Sequence, residues 1–205
     1  MRRIHLVITL GILAIGRSAA GESCSDASAL RAELEQEAVR ADHWNLAWRI
    51  VYTAAAAGQL GAAAAGVADH DNTQSLWVGG GESALAALGH WLAPLRIEVP
   101  VATGDACTDR AALRAVAERA AADERKAFWA NHIGGLIVNL AGGAILAETA
   151  SWRTGAVSFA SGYAVGLLTT YTMPRASWGR VREPAWTASV VANARGYALV
   201  VAGAL

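Results

Sequence analysis

Three polar side chains stand inside otherwise apolar runs: Gln59, Glu82 and Asn139. A carboxyl set among aliphatic residues must be protonated, paired or wetted, which makes Glu82 a candidate for proton or ion handling with Gln59 and Asn139 as its candidate hydrogen-bond partners. The same three also fit a structural role, a neutral acid bonded to an amide that fixes the register of packed helices. His90 and His132 fall at similar depth on neighbouring apolar segments, a placement that permits bis-imidazole ligation of a haem or part of a metal site. Two histidines alone do not define such a site, and no resident cofactor is expected.

The cysteines number two, Cys24 and Cys107. If both face an oxidising compartment, a disulfide is their natural pairing. Other spacings argue against specific chemistry. Asp69-His70-Asp71 lacks the later Gly and Glu of a calcium loop, and Gly79-Gly80-Gly81 lacks the Lys-Ser/Thr ending of a phosphate loop. No nucleophile-elbow serine, Cys-x-x-Cys pair, His-Glu-x-x-His or dinucleotide fingerprint occurs, so no catalytic residue is assigned and a non-enzymatic role is expected.

The elements that must position these residues are long apolar helices. From Phe128 to Leu146 the chain has the length and composition of a membrane span, with His132, Gly135, Asn139 and Gly142 recurring at helical spacing along one stripe. Leu46 to Ala68, Ser75 to about Leu92, and Gly155 to Thr172 read as three further spans. Ser158, Gly162 and Gly166 in the last of these repeat the small-residue step of close helix packing. The eight tryptophans, Trp44, Trp48, Trp77, Trp91, Trp129, Trp152, Trp178 and Trp186, fall at or near the ends of these segments, where an interfacial aromatic belt would place them.

Outside the spans, residues 1–20 carry the basic, apolar and small-residue parts of a secretory signal, with cleavage expected after Ala20. Residues 21–45 read as an amphipathic helix with Leu30, Leu34, Ala38 and Ala41 on one side and Glu33, Glu35, Glu37 and Arg40 elsewhere. Residues 46–172 hold the four-span bundle, interrupted at about 96–127 by an extracytoplasmic insertion. There Arg96 to Val101 is extended, and Asp109 caps a helix that continues without Pro or Gly toward the central span. In the tail, 173–205, the runs Thr187 to Ala192 and Tyr197 to Ala202 flank Asn193-Ala194-Arg195-Gly196 and read as a small β-hairpin, with a fifth span as the rival.

The expected fold class is therefore an all-α membrane protein of about four transmembrane helices with a helical extracytoplasmic layer. Of 205 residues, 54% are hydrophobic and 17% charged, and the 17 basic and 17 acidic residues cancel, which leaves no electrostatic footprint for nucleic acid. The expected location is the inner, cytoplasmic membrane of a bacterial-type cell. A cleaved signal and two intervening spans put Cys24, Cys107 and the C-terminus on its outer side. The charge rule opposes this, because Arg110, Arg114, Arg119, Arg125 and Lys126 then lie outside. The expected partners are membrane lipid and a second copy or another membrane protein. The expected role is a scaffold or accessory subunit packing through Gly/Ala-rich faces, the alternative a small carrier or cofactor protein using Glu82, His90 and His132.

Overall fold

The computed structural model describes residues 24–180, 187–193 and 196–202. The expected signal sequence, residues 1–20, lies outside them. Residues Cys24–Arg180 form a helical bundle, and the chain beyond belongs to a separate unit. In that unit β1 (Thr187–Asn193) pairs antiparallel with β2 (Gly196–Ala202), Asn193 facing Gly196 at the turn.

The bundle consists of two helical hairpins. A 3-10 turn at Cys24–Asp26 leads into α1 (Ala27–Ala64), which is joined through Gly66 to α2 (His70–Leu92). Gly66 takes φ +62°, the left-handed conformation that ends helices and that a Cβ disfavours. Asp69 caps α2 by accepting from the Asn72 amide at 2.9 Å, and Pro94 lies two residues past its end. The second hairpin pairs α3 (Ala106–Thr149) with α4 (Trp152–Thr172), whose cap Ser151 accepts from Thr154 N at 3.2 Å. A short α5 (Ala176–Arg180) follows Pro174.

Two expectations need correction. The amphipathic helix and the first apolar segment are not separate elements: α1 runs uninterrupted from Ala27 to Ala64, because neither Pro nor Gly intervenes between Ala27 and Gly58. The cap of α3 is Asp105, which accepts from Thr108 N at 2.8 Å, whereas Asp109 lies inside the helix and accepts from Thr103 N and Oγ1 at 2.8 and 2.7 Å. The helix starts earlier than Asp109 because Asp105 offers its carboxylate to the free amides one turn before it.

At 38 and 44 residues, α1 and α3 extend about 57 and 66 Å at a rise of about 1.5 Å per residue. Their N-terminal halves pack on one another around Leu34, Leu113, Val116, Ala117 and Ala120. The extended strap 93–105 lies across them with Ile97 in the same cluster, pinned where Asn45 brackets Leu95 through its carbonyl (2.7 Å) and amide (3.2 Å). Arg31 donates to Pro100 O, and the Cys24–Cys107 disulfide closes the far end.

The other halves, with α2 and α4, are built differently. Helix α3 meets α4 backbone to backbone: a Cβ on Gly143 would lie 2.9 Å from Gly155 O, and one on Gly155 would strike Gly143 O and sit 2.8 Å from Ala147 N. On the outward face Ile133, Leu136, Ile137, Leu140 and Ile145 are exposed. Among the described residues one helix, α3, is long and apolar enough to cross a membrane, and 22% of its apolar stretch is buried in the protein. Helices α1, α2 and α4 have the length, but Arg49 and Gln59 in α1 and the polar and small residues of α2 and α4 dilute the apolar run.

Replacing Cys24 and Cys107 together with Ser is expected to cost the α1–α3 outer layer about 2–4 kcal/mol. Circular dichroism should show the helix content retained at low temperature and a lowered unfolding midpoint. Replacing Gly155 with Val should separate α3 from α4 and lower the same midpoint, by about 1–3 kcal/mol of overpacking.

Candidate functional site

Between the two hairpins lies a cavity of about 1440 Å³. It exists because α1 packs closely on α2 and α3 on α4, while the hairpins meet each other less extensively. At one level they are bridged by side chains: Tyr52 OH and Thr169 Oγ1 are 2.6 Å apart, and Trp44 and Trp48 Nε1 each reach Thr172 Oγ1 at 3.3 Å. Three of the predicted polar residues, Gln59, Glu82 and Asn139, line the cavity, and His90 lines it nearer the bridged level.

Glycines make room for these polar groups. A Cβ on Gly79 would collide with Gln59 Oε1, one on Gly142 with Glu82 Oε1, and one on Gly162 with Asn139 Oδ1 while standing 3.5 Å from Glu82 Oε2. Glu82 from α2 and Asn139 from α3 thus converge on Gly162 of α4. Asn139 spends its Nδ2 on Gly135 O at 2.7 Å, one turn back on its own helix. Glu82 Oε1 is buried with no hydrogen-bond partner, so the site contains an acceptor that the surrounding chain leaves unmet.

The histidines do not form a pair. His90 packs against α1, with its ring 4.9 Å from Trp44 and 5.7 Å from Tyr52, and its carbonyl accepts from Arg49 Nε at 2.9 Å. His132 sits among Phe128, Trp129, Tyr163 and Tyr171, its Nε2 3.5 Å from Tyr163 OH, and it does not line the cavity. Among the described residues no three His, Cys, Asp or Glu side chains gather as a metal site.

A second polar site is one that sequence reasoning missed. Glu37 of α1 and Glu124 of α3 are fully buried, as is Ser177 of α5. Glu37 accepts on both oxygens, from Ser177 N at 2.6 Å and Ser177 Oγ at 2.8 Å, and Arg180 stands 3.4 Å away. Glu124 Oε2 accepts from Trp178 N at 2.7 Å, and its Oε1 has no partner. Burial, with the neighbouring Glu37 charge adding to it, pushes the Glu124 carboxyl up to about 7 against the pull of the Trp178 amide. The signal was present in the spacing. Leu30, Leu34, Glu37, Ala41 and Trp44 form one continuous helical stripe, and so do Leu113, Val116, Ala120, Glu124 and Phe128. Each glutamate occupies a core position of its helix.

Comparison of the chain with protein-family models, curated proteins and solved structures finds no match.

Replacing Ser177 with Ala removes a hydroxyl that donates to a buried carboxylate. The expected cost is about 1.5–3 kcal/mol, read as a lowered thermal midpoint. The Ser177→Thr variant, which restores the hydroxyl, should recover part of it.

Proposed function

We propose that this chain is a four-span integral membrane protein that carries protons or small cations through the cavity between its two hairpins, with Glu82 as the binding group. The observation that carries the reading is Glu82 itself, a carboxyl with one buried, unpartnered oxygen in a large cavity lined by Gln59, Asn139 and Thr169. Arg96, Lys126 and Arg153 line other parts of the cavity, and among the described residues none forms an ion pair with Glu82; a carboxyl so placed is completed by a proton or a cation.

The membrane setting is supported by the distribution of apolar groups. Leu85, Leu88, Ile137, Leu140, Val157 and Leu168 are each more than half exposed, while Asn139, Thr169 and Thr170 are buried. A water-soluble bundle buries the first set and exposes the second. The disulfide agrees with Cys24 and Cys107 sharing an oxidising outer side, and the inner, cytoplasmic membrane of a bacterial-type cell is the location that follows from the expected leader. The scaffold role ranks second, because many of the close-packing glycines are engaged within the chain. Gly79, Gly80, Gly142, Gly143, Gly155 and Gly162 all meet neighbouring side chains or backbone; Gly58 and Gly61 on α1, Gly81 and Gly89 on α2, and Gly134 and Gly135 on α3 face open space and remain for a partner helix.

Two measurements test the reading. Cysteines introduced singly at Asp71 and Arg114, in a background with the native pair replaced by Ser, should divide on labelling of intact cells with an impermeant maleimide. Position 114 should react and position 71 should be protected; the reverse would overturn the orientation. Purified protein in liposomes with an internal pH dye should dissipate an imposed proton or cation gradient faster than empty liposomes. Glu82→Gln should slow this at least about tenfold, as expected when an intramembrane carboxyl is the relay, while Glu148→Gln, at an exposed position, should not. Equal rates for Glu82→Gln and the unaltered chain would remove Glu82 from the mechanism.

A further inference from the structure

The buried Glu37–Glu124 pair lies outside the cavity and takes no part in the proposed carrier role. It joins three elements: Glu37 is on α1, Glu124 on α3, and both grip the first backbone amides of α5, Ser177 N and Trp178 N. Among the described residues, these together with Ser177 Oγ and Arg180 attach α5 to the bundle through polar contacts. Its apolar attachment is Trp178, whose ring stands 5.4 Å from Phe128 against a cluster containing Trp44, Leu95 and Met173. Trp44 and Leu95 also line the cavity, so the seat of α5 is part of the cavity wall.

Donors are unequally distributed across the pair. Glu37 receives an amide, a hydroxyl and the Arg180 guanidinium, so both of its oxygens are met by donors. Glu124 receives one amide, and its other oxygen is fully buried beside Glu37 with no donor. Two carboxylates cannot both stay charged at such a spot without a cation or proton between them. Among the described residues, the two arginines on and just ahead of α5 are engaged elsewhere. Arg180 of α5 is committed to Glu37 and Glu33 of α1, at 3.4 and 3.5 Å, and Arg175, ahead of α5, lies over the Phe128 and Tyr171 rings at 5.1 and 5.8 Å.

We propose that Glu37 and Glu124 share one proton and act as a latch that holds α5 on the bundle when that proton is present and releases α5 when it leaves. In the latched state the Glu124 Oε1 hydroxyl donates toward the Glu37 carboxylate. Loss of the proton to solvent leaves two buried negative charges, which separate by lifting α5 and admitting water. The sign follows from the direction of the Glu124 shift, upward from the ordinary 4.5 to about 7. Docking is complete in acid and is lost as the pH rises through about 7.

Gly179 is an exposed position on α5 where an added side chain meets open space, and Gly61 on α1 is a reference where it does too. A nitroxide attached at Gly179→Cys in the otherwise intact, disulfide-bonded protein should be motionally restricted near about pH 5.5. It should become mobile through a one-proton transition centred near about pH 7. The label at Gly61→Cys should not change. In Glu124→Gln, where the amide donates to Glu37 without titrating, the Gly179 label should stay restricted up to about pH 9. A pH-independent Gly179 spectrum, parallel changes at both labels, or an unaltered transition in Glu124→Gln would each overturn the latch. If Glu124→Gln fails to fold, the two labels in the native background decide. None of these readings depends on Glu82, so failure of the carrier proposal and failure of the latch are separately visible.

Discussion

The close approach of helices at glycine is the constraint on which the half containing the cavity depends. At Gly142 and Gly162 the absent Cβ is replaced by the ends of Glu82 and Asn139. The same positions therefore let three helices meet and let polar atoms lie between them. Larger residues there would force a choice, either spreading the helices or expelling the carboxyl from the interior. Gly143 and Gly155 perform the first task alone, bringing α3 and α4 into backbone contact, and so provide a firm wall against which the polar groups are presented.

The outer layer is assembled on another principle. There α1 and α3 meet through aliphatic stripes, an extended strap crosses them, and the disulfide ties positions 83 residues apart in sequence. Since each of these helices continues unbroken into the apolar half, a change in their relative tilt at one end is carried toward the other. Tyr52, Trp44 and Trp48, bonded to Thr169 and Thr172, mark the level where the two halves join. Their indole and phenol groups suit that position, being apolar enough for the packed side and polar enough to bind across it.

The all-helical class, the continuity of α3 and the disulfide were legible in the sequence. Periodicity and the lack of helix breakers argue for the first two directly, and two cysteines leave one intramolecular pairing for the third. The polar trio was legible as well, because a polar residue in an apolar run stands out without knowledge of its partners. Azimuth was harder to read. His90 and His132 share a depth along their helices, yet their rings sit in different aromatic surroundings, against α1 in one case and against α4 in the other. Glu37 was placed with the solvated charges of its helix because its neighbours Glu33 and Glu35 are charged, although its register matches Leu34 and Ala41. Composition is read over a window, whereas burial is decided residue by residue.

The contrast between the buried carboxyls turns on donors rather than on depth. Glu37 is met by an amide, a hydroxyl and a guanidinium, Glu124 by a single amide, and Glu82 has one oxygen with no donor. A carboxylate with a full set of donors can stay ionised in a nonaqueous setting, and one without them must take a proton or a cation. The series places a carboxyl met on both oxygens beside one met on a single oxygen, on α1 and α3, and a separate unmet acceptor in the cavity. Because α5 rests on the first two and its Trp178 packs on residues that line the cavity, the protonation of the pair and the shape of the cavity wall are mechanically joined. Any change at Glu124 that moves α5 must also change the packing around Trp44 and Leu95.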